Sequence, residues 1–385
     1  MANHSLPGKT EVLVIGAGPA GSMLAYELAR LGIDVLLLDK GKFPRKKTCA
    51  GGVNVRAARL LPFDLTPVVE NIITGISFTR NLEEPFLRRS TEPLLYVVRR
   101  ECFDQFLVEK ARQAGALFFD GTLFLSLSPK SHAVVVETSS GPCQAQFVIG
   151  ADGAQSVVAK SLELMQGVPY ILAMHSEVPT ALVPWPHPDL IHIDWGSLKR
   201  SYAYVFPKKE TLSLGAGGYN VEPAKIKRYQ RSFLATFWQK EEMPPVSIAG
   251  FLLPLRPKRC PIQKGRCLLL GDAAGLIDPL IGEGIYYAIR SAQTAAPLLA
   301  QALREKWNSL QACEQAIDRE IMPELECARI VRGMFNLRPS FFHKKIFSSD
   351  RWWRVMEKIL RGERNFVDVK RNLGSLGSLI RYLVG

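Results

Sequence analysis

The strongest constraint on the fold lies near the start of the chain, where an apolar run meets a glycine-rich turn. Glu11 to Ile15 reads as a buried strand, and Gly16-Ala17-Gly18-Pro19-Ala20-Gly21 opens a helix that carries Ala25, Leu28 and Ala29 on one side. Gly32 ends that helix, Ile33 to Leu38 form a second strand, and Asp39 and Lys40 stand at its end. Glycines after a strand let the backbone turn sharply and approach a phosphate at a helix N-terminus. An acid about 20 residues further on is placed to hold a ribose hydroxyl. Strand, helix, strand and terminal acid together predict a Rossmann-type βαβ unit for a dinucleotide, in a chain of the α/β class. The unit by itself does not choose between FAD and a nicotinamide cofactor.

Two further strand ends make that choice. Leu268, Leu269 and Leu270 read as a strand that ends at Gly271 and Asp272, and Pro279, Gly282 and Gly284 precede a helix from Ile285 to Ala300. Phe147 to Ile149 is another apolar strand, running into Gly150-Ala151-Asp152-Gly153. A ligand that touches three strand ends so far apart in sequence is long, and FAD extended along a sheet edge fits better than a nicotinamide cofactor held by one unit. The helix beginning at Ile285 also favours the negative charge that reduced flavin carries at its N1/O2 edge.

These motifs resemble those of the aromatic-hydroxylase-like FAD-dependent flavoproteins. Within that group Lys47-Thr48-Cys49-Ala50-Gly51-Gly52, Arg99-Arg100-Glu101-Cys102-Phe103-Asp104 and Tyr202-Ala203-Tyr204-Val205-Phe206-Pro207 are similar to the geranylgeranyl reductase family, and the likeness thins beyond residue 300. The resemblance implies a glutathione-reductase/hydroxybenzoate-hydroxylase-like FAD-binding domain, an inserted antiparallel-sheet substrate domain and a helical C-terminal region. It also implies cofactor contacts at Gly16, Gly18, Ala20, Gly21, Asp39, Lys40, Cys49, Ala50, Gly51, Gly52, Arg100, Asp152, Gly153, Gly271, Asp272, Pro279, Gly282, Gly284 and Ile285. A prenyl site would be lined by Tyr202, Tyr204, Phe206 and Pro207. The chain departs from the family at Ala50, where glycine is common, at Tyr204, where tryptophan is frequent, and at Lys160, where arginine is usual.

The implied reaction saturates carbon–carbon double bonds of a geranylgeranyl chain by hydride from flavin N5 plus a proton. An isolated alkene accepts hydride poorly. Protonation first makes a tertiary cation, so the site should be dry and aromatic. Alternation puts Tyr202, Tyr204 and Phe206 on one face of a strand, which serves either as a substrate wall or as ordinary core. Tyr202, Tyr204 and Cys49 are the candidate catalytic residues, and the proton has three possible sources: a tyrosine, Cys49 or water. No second glycine-rich unit is visible, so the reductant is expected to be NAD(P)H bound transiently over the flavin, or ferredoxin. A flavin monooxygenase or halogenase acting on an apolar or aromatic substrate is the rival reading, since it shares the flavin motifs.

Composition sets outer limits. The chain has 385 residues, 47% hydrophobic and 22% charged, enough for a large core. Its seven cysteines include no C-x-x-C pair, which suggests reduced thiols and a cytoplasmic setting, and neither a leader nor a membrane span is expected. The net charge of +13 suits a diphosphate, an anionic lipid or a nucleic acid, but no nucleic-acid motif accompanies it, so a prenyl diphosphate or a prenylated lipid, pigment or quinone is the expected partner. Lys42, Arg45, Lys46 and Lys47 read either as a site for such an anionic group or as an exposed basic loop. Trp352, Trp353, Phe366, Leu373, Leu376, Leu379, Ile380 and Leu383, with Lys370, Arg371 and Arg381 nearby, suit a peripheral membrane contact or a helix packed on its own protein. The expected organisation is an FAD-binding domain from residues 1–60, 95–160 and 264–305, a substrate domain from 61–94 and 161–263, and a helical region from 306 to 385. His187, His192 and Asp194 could be drawn as a metal site, but the alternating strand predicts a solvated edge instead, and no metal is assigned.

Overall fold

The computed structural model describes residues 5–183, 185–237 and 247–368. The glycine-rich unit forms the strand Lys9–Ile15, the helix Pro19–Arg30 and the strand Val35–Leu38. Lys9–Ile15 pairs in parallel with Val35–Leu38 on one side and Cys143–Gly150 on the other. Leu117–Phe119 and Cys267–Leu269 continue the parallel run outward. Val12 to Ile15 and Val35 to Leu38 are buried without alternation, as expected of a sheet covered on both faces. The helices Arg100–Gln113 and Ile285–Arg304 pack against Pro19–Arg30.

One predicted strand divides. The run from Leu117 to Phe124 breaks after Phe119 because Gly121 turns the chain at φ +65°. Leu117–Phe119 stays in the parallel sheet, while Phe124–Pro129 pairs antiparallel with Val134–Thr138.

The second sheet has seven strands in the order Ala249–Pro254, Tyr170–Pro179, Thr211–Tyr219, Ser201–Pro207, Leu190–Trp195, Gly75–Arg80 and Glu83–Arg89. It is antiparallel at every junction except Leu190–Trp195 with Gly75–Arg80, which is parallel. Ala203 and Val205 join a cluster with Ile226, Tyr229 and Phe233 of the helix Pro223–Phe237, so the alternate residues Tyr202, Tyr204 and Phe206 lie on the opposite face. A three-stranded sheet of Gly52–Asn54, Leu95–Val98 and Val69–Ile73 completes the strands.

The expected solvated edge at His192 and Asp194 is not observed. The Gly75–Arg80 strand pairs alongside them, and both residues are buried. Asp194 accepts hydrogen bonds from the Thr79 hydroxyl (2.7 Å), the Leu82 amide (2.8 Å), the Ser197 hydroxyl (2.9 Å) and the Tyr229 hydroxyl. Burial lowers the His192 pKa to about 4 against the opposing pull of Asp194, which makes it a neutral core histidine, while His187 is exposed. The described residues contain no group of three or more His, Cys, Asp or Glu side chains arranged to hold a metal ion.

Toward the C-terminus the helices Gln311–Glu320, Met322–Leu337 and Asp350–Leu360 follow one another. Trp353 and Phe366 are buried in the protein's own apolar clusters, which favours self-packing over lipid contact for those two side chains. Lys370, Arg371, Leu373, Leu376, Leu379, Ile380, Arg381 and Leu383 lie outside the described residues. Among the described residues no helix is long and apolar enough to cross a membrane.

The four donors gathered by Asp194 give a test of this packing. Asp194→Ala leaves them without their carboxylate in a dry interior and should cost about 3 kcal/mol, read as a lowered urea midpoint for the unfolding phase of the second sheet.

Candidate active site

The glycines of the first turn serve two different ends. Gly16 has φ +102°, and a Cβ there would stand 2.4 Å from the Ala151 carbonyl oxygen; a Cβ on Gly21 would stand 1.9 Å from the Gly16 carbonyl oxygen. Both are therefore packing glycines that seat the helix on the strand ends. Gly18 caps the helix Pro19–Arg30, and the nearest atom to its missing Cβ is an Arg45 nitrogen at 3.8 Å, so here the space is open. Ala20 packs against Gly271, whose Cβ would stand 3.0 Å from it. The first and third strand-end motifs are thereby in contact.

From Gly18 a line of alternating charge leads away. Asp39 accepts from the Ala17 amide (2.8 Å) and the Gly41 amide (2.8 Å) and pairs with Arg45 (3.1 Å). Arg45 also reaches the fully buried Asp104 (3.1 Å), which binds Arg100 through both oxygens at 2.9 and 3.0 Å. Burial opposes the charge on Arg100, but Asp104 and Cys49 raise its pKa above the ordinary value. Lys40 is exposed beside Asp39. Of the basic cluster, Arg45 points inward to this line, and Lys42 pairs with Asp120 at 3.1 Å.

Asp272 stands on the turn Gly271–Ala274. Burial raises its pKa, with Lys47 and Arg100 opposing, and Gly284 leaves room for it, since a Cβ there would stand 2.8 Å from the carboxylate. Asp152 behaves differently from its expected role. Its carboxylate accepts from the Ser156 hydroxyl (2.5 Å) and the Val157 and Val158 amides (2.7 and 3.2 Å), so it is taken up in holding the start of the helix Val157–Ser161. Next to it Gly153, at φ +80°, has open space where its Cβ would be.

The aromatic strand closes over these parts. Phe206 lies 2.7 Å from the Cβ position of Gly52, and the Tyr202 hydroxyl lies 2.6 Å from that of Gly282 and donates to the Ile281 carbonyl at 3.0 Å. Tyr204 lies 2.3 Å from the Cβ position of Gly215, and its ring centre is 6.2 Å from that of Tyr202 and 5.6 Å from that of Phe206. Burial raises the Tyr204 pKa well above the usual tyrosine value, with Tyr202, Cys49 and Glu177 adding to it, so the phenol is neutral. In the loop below, the Gly51 amide donates to the Cys49 thiol (3.4 Å), Gly51 has no room for a side chain against Val98, and Ala50 is half-buried. Pro207 is buried, and its carbonyl accepts from Asn71 (3.3 Å).

The turn before Ile285 is tied down by acids. Asp278 accepts from the Leu280 and Ile281 amides (2.7 and 3.2 Å) while its other oxygen is buried without a donor, and burial pushes its carboxyl up to about 6. Glu283 pairs with Arg56 (2.8 Å), and the Pro279 carbonyl accepts from Arg332 (3.4 Å). The sequence assigns no site role to His175, Glu177 or Asp278 and gives no sign that Arg45 turns inward. Asp104 is present in it as the last residue of the Arg99–Asp104 motif, at i, i+4 spacing from Arg100.

The chain as a whole is similar to several known proteins. Residues 9–192 match the family described as FAD binding domain. A geranylgeranyl diphosphate reductase of Rhodobacter capsulatus is 31% identical over 75% of this chain and 74% of its own. The chain belongs to the geranylgeranyl reductase family. A digeranylgeranylglycerophospholipid reductase of Methanocaldococcus jannaschii is 29% identical over 76% of this chain and 78% of its own. Among solved structures, a geranylgeranyl bacteriochlorophyll reductase-like protein of Thermoplasma acidophilum superposes with a TM-score of 0.78 at 21% identity, covering 95% of this chain and all of that one. A flavin-dependent brominase superposes with a TM-score of 0.73 at 19% identity over 92% and 94% of the two chains, which shows a shared fold. As a member of the geranylgeranyl reductase family the chain is an FAD-dependent oxidoreductase, and its open helix N-terminus at Gly18, with two acids and two guanidinium groups in line beyond it, fits that cofactor.

Because Gly18 has extended backbone and open space, Gly18→Val should fold normally and lose FAD. The purified variant is expected to be colourless, to bind added FAD at least about 10-fold more weakly by fluorescence quenching, and to unfold at the apoprotein's temperature.

Proposed function

We propose that this protein saturates carbon–carbon double bonds of a geranylgeranyl chain. One observation carries the reading: on the aromatic face of Ser201–Pro207, Phe206 packs on Gly52 at the end of the Cys49–Gly52 loop and Tyr202 packs on the Gly282 turn. In this reading residues 1–60, 95–160 and 264–305 hold the cofactor, with Gly18, Asp39, Arg100 and Asp272 toward its length and Cys49 to Gly52, Pro279 and the Gly282 to Ile285 turn toward its ring. Residues 61–94 and 161–263 cover the substrate.

Bound in its reduced form, FAD supplies the hydride. The chain's own residues do the rest. Tyr202, Tyr204 and Phe206 exclude water from the alkene, and each ring face stabilises a developing tertiary cation by about 0.5 to 2 kcal/mol. The Tyr202 and Tyr204 phenols and the Cys49 thiol are the candidate proton donors, and of these the Tyr202 hydroxyl is engaged by the Ile281 carbonyl at 3.0 Å. The prenyl group arrives on a diphosphate, lipid, pigment or quinone, and the reductant is NAD(P)H or ferredoxin.

The test is anaerobic. The yellow protein, reduced with dithionite, should add two hydrogens per double bond to geranylgeranyl diphosphate or a geranylgeranylated lipid, as measured by mass spectrometry. NADPH and reduced ferredoxin in separate arms identify the physiological donor. No mass gain with any prenyl substrate, together with substrate-dependent oxygen uptake, would favour the monooxygenase or halogenase reading. Gly215→Ala supplies a second check. The added methyl displaces the Tyr204 ring without touching the nucleotide sheet, so FAD content should hold while turnover falls about 100-fold.

A further inference from the structure

Register places Tyr204, Gly215 and His175 in one row across three strands. The absent side chain of Gly215 lets the Tyr204 phenol cross the middle strand and meet His175 Nδ1 at 3.2 Å. His175 is 4% exposed, and its Nε2 lies 2.8 Å from Glu177 Oε1. Glu177 in turn accepts from Lys208 (2.9 Å), Ser213 (2.6 Å) and Thr211 (3.1 Å), and its side chain is 39% exposed. Cys49, in the loop that ends at Gly52, is among the groups that raise the Tyr204 pKa.

We propose that His175, oriented and charge-balanced by Glu177, stores the proton that Tyr204 delivers to the alkene. The proposal rests on the reductase reading. Burial penalises the charge on Glu177, but its hydrogen bonds from His175 and Lys208 outweigh this and hold the carboxyl down to about 2, so it is an ionised acceptor. Nε2–H then donates to Glu177. A neutral His175 offers only a lone pair at Nδ1, and the Tyr204 O–H points at it, away from the substrate face. A second proton on His175 reverses that bond: Nδ1–H donates to the phenol oxygen, and the Tyr204 O–H is freed toward the alkene. In the reaction the Tyr204 O–H bond breaks as a C–H bond forms on one alkene carbon, and Nδ1–H passes to the phenol oxygen. FAD bound in its reduced form would supply the hydride for the other carbon, giving up two electrons, and His175 is left neutral. Tyr204 never becomes a buried phenolate, a state the apolar surroundings oppose. The store reloads from water once product leaves.

The experiment uses the FAD-loaded protein, reduced without oxygen and mixed with geranylgeranyl diphosphate, with flavin absorbance and product mass followed over one turnover. His175→Gln and Tyr204→Phe should each slow alkene reduction about 100-fold with FAD content and KM unchanged, and the double variant should be no slower than either single one. Glu177→Gln, at a half-exposed position, should slow the step about 10-fold with the same KM. Wild-type rates in His175→Gln, or losses that multiply in the double variant, would overturn the proton store while leaving the reductase reading intact. Failure of the wild-type protein to reduce any prenyl chain would remove the reading and the proton store together.

Discussion

Three rings of one strand each occupy the space that a Cβ would fill on a glycine of another segment. Phe206 sits over Gly52, Tyr204 over Gly215 and Tyr202 over Gly282. These glycines come from the end of the Cys49–Gly52 loop, the neighbouring strand and the turn before the Ile285–Arg304 helix. A methyl at any of them would sit within 2.7 Å of a ring carbon or a phenol oxygen, well inside contact distance, and interiors packed to crystal density do not absorb such an intrusion without movement. The Gly52 and Gly282 contacts therefore set how closely the seven-stranded sheet approaches the three-stranded sheet and the turn before the Ile285–Arg304 helix. They also bring a phenol, a thiol and a glycine-rich loop to one place, although their residue numbers span more than half the chain.

The parts legible in the sequence were those whose signal is local. The turn from Gly16 to Gly21, the strand ends at Asp39 and Asp272, and the alternation of Tyr202, Tyr204 and Phe206 all announce themselves within a few residues. Glu83–Arg89 did not, because Glu83, Glu84, Arg88 and Arg89 surround Pro85 and the run reads as a loop. With that hairpin unseen, Leu190–Trp195 looked like an edge, and His192 and Asp194 looked solvated. His175 was invisible for a different reason. It meets Tyr204 only through the register of three strands and the absence of a side chain on the middle one. Asp152 carried the right motif, but its carboxylate is engaged by the Val157 and Val158 amides, a competition that residue type alone does not reveal.

Buried charge extends the same assembly to the C-terminal helices. Arg56 lies against the Tyr286 ring at 4.0 Å, binds Glu283 at 2.8 Å and pairs with Glu324 of the helix Met322–Leu337. Burial works against its charge, yet Glu283, Tyr287 and Glu324 raise its pKa well above the ordinary value. Exchanging such a cluster for apolar groups is often neutral, but removing one member leaves an unbalanced charge costing about 3 to 5 kcal/mol. What the cluster provides is position. Glu283 sits directly before Gly284 and Ile285, so the turn that starts the Ile285–Arg304 helix is tied to the C-terminal helices rather than left to the loop's own preferences.

The line from Asp39 through Arg45 and Asp104 to Arg100 solves a related problem at the other end. Asp104 is fully buried, and an isolated carboxylate there would be expensive, so it needs the bidentate Arg100. Asp39 does not depend on its guanidinium partner to the same degree, because the Ala17 and Gly41 amides already serve one oxygen each. Arg45 is therefore the member that can turn to an anionic ligand without orphaning an acid. It is also the group nearest the open space at Gly18. A pyrophosphate at that helix N-terminus would meet a cation already oriented by two carboxylates, and the ordering entropy of a long side chain would be largely settled before the ligand arrived.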